Sequence, residues 1–304
     1  MVLDPDFFTY LNIYNGPWLA PTPKLNGTPG NDDIVAGDRL LAIVLNGYGG
    51  DDRLTGGSGI NTIFAGNGSD QLFGGAGLDT LYGSGGNDYL EGGKGGDFLS
   101  GGAGTNTLSY ASSEEGVTID LRPNLFNRIT TATGGDAQGD SAIAEIQNVV
   151  GSEAEDNING TNGANVIIGL GGVDVLLGND GDDILSGGLG GDYIDGGQGI
   201  DTALYITSSV RVMVDLSLGS TPQGGSGEEY LDQLVSIENL TGSRYNDDLT
   251  GDAGANVLSG SSGDDFLTGR GGADTLDGGI GNDTAFYKEI DAGVTIDLRL
   301  EVQH

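Results

Sequence analysis

Aspartates recur at every ninth position over three stretches of this chain, each followed two residues later by a large aliphatic side chain. From Gly47 the sequence reads GYGGDDRLT, GGSGINTIF, AGNGSDQLF, GGAGLDTLY, GSGGNDYLE, GGKGGDFLS and GGAGTNTLS. This places Asp52, Asn61, Asp70, Asp79, Asp88, Asp97 and Asn106 at the sixth position. A second stretch from Gly151 carries Asp156, Asn165, Asp174, Asp183, Asp192 and Asp201, and a third from Gly242 carries Asp247, Asn256, Asp265, Asp274 and Asp283. A lead-in unit, GTPGNDDIV, adds Asp32. Carboxylates grouped with turn carbonyls are hard oxygen ligands, which suit calcium rather than zinc or copper; magnesium holds its own waters too tightly to substitute well. Asp and Asn favour turns on their own account, but turn preference does not explain an aliphatic residue at a fixed offset. The fifteen aspartates named here are the candidate metal ligands.

The elements that must position them follow from the same period. The last three residues of each nine form a short strand with one inward side chain, and the first six form a turn. Glycine at positions 1, 2 and 4 permits positive φ and lets carbonyls converge. Two nonapeptides on opposite sides close a coil of eighteen residues, and neighbouring coils pair as parallel strands about 4.8 Å apart. Residues i and i+18 then stack, so Asp52, Asp70 and Asp88 share one edge and Asp79 and Asp97 the other. The same holds for Asp156, Asp174 and Asp192, for Asp183 and Asp201, and for Asp247, Asp265 and Asp283. Carboxylates stacked about 5 Å apart repel by roughly 3 kcal/mol per pair at surface-like dielectric. Summed over the rows, this exceeds the ~5–15 kcal/mol stability of an ordinary domain. The expected fold is therefore all-β, a parallel β-roll that needs cations between its turns.

The nonapeptides fit G-G-x-G-x-D-x-U-x, with U a large aliphatic. Eighteen in-register copies over 27–110, 151–205 and 242–287 resemble the calcium-binding repeats-in-toxin (RTX) family. The resemblance implies a β-roll with each calcium ion between consecutive turns of one edge, held by Asp side chains and backbone carbonyls. Blocks of seven, six and five repeats would then offer about twelve such gaps. The asparagines at 61, 106, 165 and 256 offer an oxygen without a charge, so weaker sites are expected there. The resemblance also implies export by a type I route and folding outside the cell.

Organisation beyond the blocks is itself repetitive. Each block ends alike, NTLSY at 106–110, DTALY at 201–205 and DTAFY at 283–287; GVTIDL at 116–121, VMVDL at 212–216 and GVTIDL at 293–298 follow. Re-entry is marked by IQNVVGS at 146–152 and IENLTGS at 237–243. The chain thus divides into an N-terminal segment (1–26), blocks at 27–110, 151–205 and 242–287, spacers at 111–150 and 206–241, and the start of a third spacer at 288–304. Apolar alternation in the spacers favours irregular coils within one solenoid over flexible linkers, with 131–141 and 219–229 as surface loops. Residues 36–46 read as a degenerate unit with Ile43 in the aliphatic slot. Asp120, Asp215 and Asp297 read as structural residues, and Tyr110, Tyr205 and Tyr287 as block-end packing. Phe7, Phe8, Tyr10, Tyr14 and Trp18 crowd the N-terminal segment, which reads as a cap over the first coil or as an aromatic attachment point.

Composition narrows the function classes. The chain carries 60 glycines, 45 acidic against 11 basic residues, a formal net charge of −34 and no cysteine. Such acidity makes nucleic acid and anionic membranes poor partners. The absence of cysteine rules out a disulfide framework, and His304 is the sole histidine, which leaves the body without His-based catalysis or His/Cys zinc sites. There is no G-x-S-x-G elbow, no apolar run of membrane-spanning length and no Sec-type leader. The expectation is a non-enzymatic, secreted or surface-displayed structural or adhesive protein, with calcium ions as ligands. A protein or glycan at a cell surface, or self-assembly through the N-terminal aromatics, would be its partner. The alternatives are a folding and secretion module of a larger exoenzyme or toxin, and a fibre or accessory protein of a surface or viral assembly. An ice-binding array is disfavoured, because the second turn positions are mostly Gly or Ser rather than Thr.

Overall fold

The computed structural model describes residues 22–37, 42–122, 131–219 and 232–287, with the side chains of 131 and 142–144 excepted. The chain winds as a two-faced parallel β-solenoid. One face is a single sheet of twelve strands running from Asp33–Val35 to Thr275–Asp277. The other face is built in three successive sheets. The first has six strands, from Lys24–Asn26 to Ser141–Ala144; the second has six, with Thr118–Asp120 beside Thr131–Thr133 and Gln233–Val235 at its far edge; the third has four, from Met213–Asp215 to Thr284–Phe286. Strand pairs are parallel except Thr118–Asp120 with Thr131–Thr133.

The eighteen-residue coil follows from the register, in which Leu54 pairs with Leu72, Leu72 with Leu90, and Ile63 with Leu81. Each of these aliphatic residues is fully buried. The long sheet contributes a column through Leu108, Val149, Ile167, Leu185, Ala203, Leu240 and Leu258 that does not break at either spacer. The core is therefore one narrow aliphatic spine, and burial of those side chains is its hydrophobic driving force.

Three details differ from the sequence reading. Most strands in the first two blocks span six residues, as in Gln71–Ala76, because the first residues of the next repeat continue the ladder through Gly75 and Gly93. The aliphatic slot of the degenerate unit is filled by Leu45, which pairs with Leu25 and Ile63; Ile43, also buried, lies in register with Asn61, where an aspartate would stand. The tract 131–141 holds a strand and a short 3-10 turn, with Ala132, Ala137 and Asp140 buried, rather than a surface loop. The N-terminal aromatics at 7–18, Asp297 and most of 219–229 lie outside the described residues. Lys24–Asn26 serve as the first strand of the solenoid.

Handover from one short sheet to the next happens at a buried tyrosine. Tyr110 follows the last long-sheet strand of block one, is 1% exposed, and donates its hydroxyl to Asp140 Oδ2 at 2.7 Å. Tyr205 takes the equivalent place in block two, buried beside Asp232. Tyr287, at the end of block three, is 39% exposed.

Candidate metal centre

The sixth-position residues line the two turn edges. On the long-sheet edge run Asp32, Asp52, Asp70, Asp88 and Asn106, then Asn165, Asp183 and Asp201, then Asn256 and Asp274. On the opposite edge stand Asn61, Asp79 and Asp97, then Asp156, Asp174 and Asp192, then Asp247, Asp265 and Asp283. Twelve of the fifteen predicted aspartates are buried; Asp32 and Asp274 are half-buried, and Asp283 is exposed.

One hydrogen bond repeats along every row. The backbone N–H of each sixth residue donates to Oδ1 of the sixth residue one coil on, as in Asp52 to Asp70 at 2.7 Å, Asp79 to Asp97 at 2.7 Å and Asp174 to Asp192 at 2.9 Å. The second carboxylate oxygen is treated differently. Oδ2 of Asp52, Asp70, Asp79, Asp88, Asp97, Asp174, Asp183, Asp192, Asp201 and Asp265 is buried without a hydrogen-bond partner. A buried polar atom left unpaired is costly, and ten in one fold call for a common explanation. The oxygen beside each is instructive. A Cβ added at Gly83 would overlap both Asp88 Oδ2 and the carbonyl oxygen of Gly101. The same construction at Gly74, Gly169, Gly178 and Gly260 brings together an Oδ2 and the next coil's first carbonyl. Two acceptors facing one space with no donor between them suit a cation.

Asn61 shows how many oxygens face that space. Its Nδ2 donates to Gly59 O at 2.9 Å, Gly74 O at 3.1 Å, Gly57 O at 3.4 Å and Asp79 Oδ1 at 2.9 Å. Three backbone carbonyls and a carboxylate oxygen surround a single point. This is an all-oxygen shell of the kind a calcium ion takes. Among the described residues no three acidic side chains converge, because each coil supplies one carboxylate per edge and the backbone supplies the rest.

Burial sets the electrostatics. Desolvation pushes the carboxyl of Asp174 up to about 8 and that of Asp97 up to about 7, against the opposing hydrogen bonds from the backbone of Asp156 and Asp79. Desolvation likewise lifts Asp70, Asp79, Asp183 and Asp265 to about 6. Without a cation, these groups hold their protons far more tightly than free aspartate does.

Row ends are finished by other means. Asp156 and Asp247, which open their rows, take the backbone N–H of Ser152 and Ser243 on Oδ2 and the serine hydroxyls on Oδ1. Asp32 takes both donors of Thr28. These units begin Gly-Ser or Gly-Thr, but so do the mid-row units at Gly83-Ser84 and Gly260-Ser261, so the dipeptide alone does not mark a row end. Spacer members of the rows were not foreseen. Asp140 accepts from Asp97 N–H at 2.8 Å and Asp232 from Asp192 N–H at 3.0 Å; Gln147 and Glu238 do the same for Asn106 and Asp201. Asp120 pairs bidentately with Arg122, and Asp215 caps a 3-10 turn and binds Arg270 at 2.7 Å. Both have structural partners off the rows.

Stacked turns, a buried carboxylate at each and carbonyls closing the shell define a calcium-binding β-roll. The family model for RTX calcium-binding nonapeptide repeats matches residues 46–81, 74–108, 150–185, 168–203, 236–267 and 250–285. The chain belongs to this family of repeat proteins. Among curated proteins, none matches the chain.

Proposed function

We propose that this chain is a non-enzymatic structural or adhesive β-roll, secreted or displayed at a cell surface, that folds when calcium fills its rows outside the producing cell. The observation that carries this reading is the set of ten buried carboxylate oxygens without donors. A coil with so many unpaired anionic groups is unstable until a cation arrives, so folding and binding become one event. The gap count within the three blocks is about twelve ions on this reading. No helix among the described residues is long and apolar enough to cross a membrane, and the acidity of the surface disfavours nucleic acid. Export by a type I route belongs to the same proposal, as does a protein or glycan partner.

The experiment is a calcium titration of the full chain followed by circular dichroism. Calcium in the millimolar range should convert a largely disordered chain to β-structure, and a chelator should reverse it. Equal β-content in calcium and in chelator would remove the proposal. A second reading, a folding module of a larger exoenzyme, would be favoured by a catalytic domain encoded in the same gene product.

A further inference from the structure

Two of the four sixth-position asparagines, Asn61 and Asn106, behave differently from the aspartates around them. Asn61 Nδ2 occupies the centre of its oxygen shell, with four acceptors about it. Asn106 Nδ2 donates to Gly102 O at 3.2 Å and Glu145 O at 2.9 Å, the same pair of positions that Gly57 and Gly74 hold for Asn61. Asn165 and Asn256 turn the amide the other way: Oδ1 accepts from the backbone of Thr161 and Asp252, and Nδ2 donates to the carbonyls of Gln147 and Glu238 one coil back. Asn165 and Asn256 thus match the row-opening aspartates Asp156 and Asp247, which also accept from the second residue of their own unit, and it is their Oδ1 that stands beside the next coil's carbonyl, at Gly178 and Gly269; Asn61 and Asn106 instead place Nδ2 against that carbonyl. At the aspartate steps, by contrast, ten Oδ2 atoms have no donor.

Location reinforces the contrast. Each asparagine borders an irregular coil. Asn61 follows the coil in which Ile43 stands in the carboxylate register. Asn106 precedes, and Asn165 follows, the first spacer's shortened turn, where Glu145 has φ 60° and Ile146 is buried. Asn256 follows the equivalent turn at Ser236, φ 51°, and buried Ile237. Asp97, Asp192 and Asp201 also border spacers, so the rule runs one way: an asparagine marks an irregular neighbour.

We infer that Asn61 and Asn106 are calcium-free joints, in which the side-chain amide takes the place of the ion and closes the coil without metal. The inference rests on the calcium-dependent folding proposed above and divides the rows into ion-filled and amide-filled steps. The gaps from 61 to 79 and from 106 to 147 begin on these two asparagines and hold no ion. An amide supplies hydrogen-bond donors to the carbonyls as a cation supplies charge, and it carries no charge to desolvate. The joints therefore hold irregular turns in place before calcium arrives, and regular coils grow from them.

The test is an integer ion count by native mass spectrometry on the full chain in saturating calcium. Asn61→Asp restores a carboxylate to a shell whose other oxygens are already present, and it should bind one more ion than wild type. Asp79→Asn should bind one fewer while keeping the β-content of wild type in saturating calcium. Asp79→Ala should also lose one ion, but should need more calcium to fold. An unchanged count in Asn61→Asp would overturn the inference; so would a wild-type count in Asp79→Asn. Should Asn61→Asp fail to fold, the Asp79→Asn count decides alone. A wild-type chain that folds but binds no calcium sinks both this inference and the function it rests on; a wild-type chain that binds calcium with the joints occupied sinks this inference only.

Discussion

At the residue scale, the sixth-position aspartate has two oxygens with separate duties. Oδ1 ties one coil to the next through a backbone N–H, and Oδ2 faces the oxygen shell without a donor. This division fixes the sign of the pH dependence. Burial raises these carboxyls, to about 6 for Asp70 and about 8 for Asp174, so the metal-free coil favours their protonated forms. That stabilising contribution is complete below the unfolded carboxylate value of about 3.9 and is lost as pH rises through the folded values. Calcium acts in the opposite sense, because it requires the carboxylate and its binding releases protons. In chelator, β-structure should therefore increase as pH falls from about 8 to about 4.5. The calcium midpoint should rise over the upper part of that range, between about pH 8 and about pH 6. A titration series by circular dichroism checks both. A midpoint independent of pH would show that the buried carboxylates do not ligate.

The element is a turn and a strand, and its glycines are not equivalent. Gly95, in position 4 of its repeat, has φ +146°, and a Cβ there would overlap the carbonyl of Gly77 one coil back. Gly163, also in position 4, has only Thr161 Oγ1 within reach at 3.9 Å. Gly95→Ala should cost about 1–3 kcal/mol from the backbone conformation alone, with the overlap in addition, whereas Gly163→Ala should be within about 0.5 kcal/mol of wild type. Thermal unfolding in saturating calcium measures both; equal melting temperatures would refute the assignment of position 4 as a close-contact site between coils. Much of this element was legible in the sequence, because a period of nine puts the aspartate and the aliphatic residue on fixed faces. Asp140 and Asp232 escaped notice because insertions separate them from Asp97 and Asp192 by 43 and 40 residues instead of 18. Leu45 was missed for a similar reason: the first coil of the long edge is twenty residues, Asp32 to Asp52, so counting forward in nines from Ile34 lands on Ile43, whereas counting back from Leu54 reaches Leu45. The direction of an asparagine amide cannot be read from a repeat at all, since it depends on which carbonyls the neighbouring coil presents.

At the scale of the whole molecule, the two faces are continued by different means. The long sheet passes through both spacers as one hydrogen-bonded ladder, from Leu108 to Val149 and from Ala203 to Leu240, while the opposite face restarts twice. A spacer is therefore a coil of the solenoid that resets one edge, and the blocks are mechanically joined through the other. Stability in such stacked architectures passes between nearest neighbours, so damage in block two should spread along the continuous sheet. Leu185 is fully buried in that sheet, between Ile167 and Ala203. Leu185→Ala should cost about 2–5 kcal/mol. In hydrogen exchange of the calcium-loaded chain, protection should fall most in strands Val166–Gly171 and Thr202–Leu204. The loss should extend, diminishing, to Asn148–Val150 and Thr107–Ser109 on one side and to Asn239–Thr241 on the other. Three β-rolls on independent footings would behave otherwise: Thr107–Ser109 and Asn239–Thr241 would exchange at wild-type rates. That outcome would mean that the ladder across the spacers carries no stability and that calcium loads each block alone.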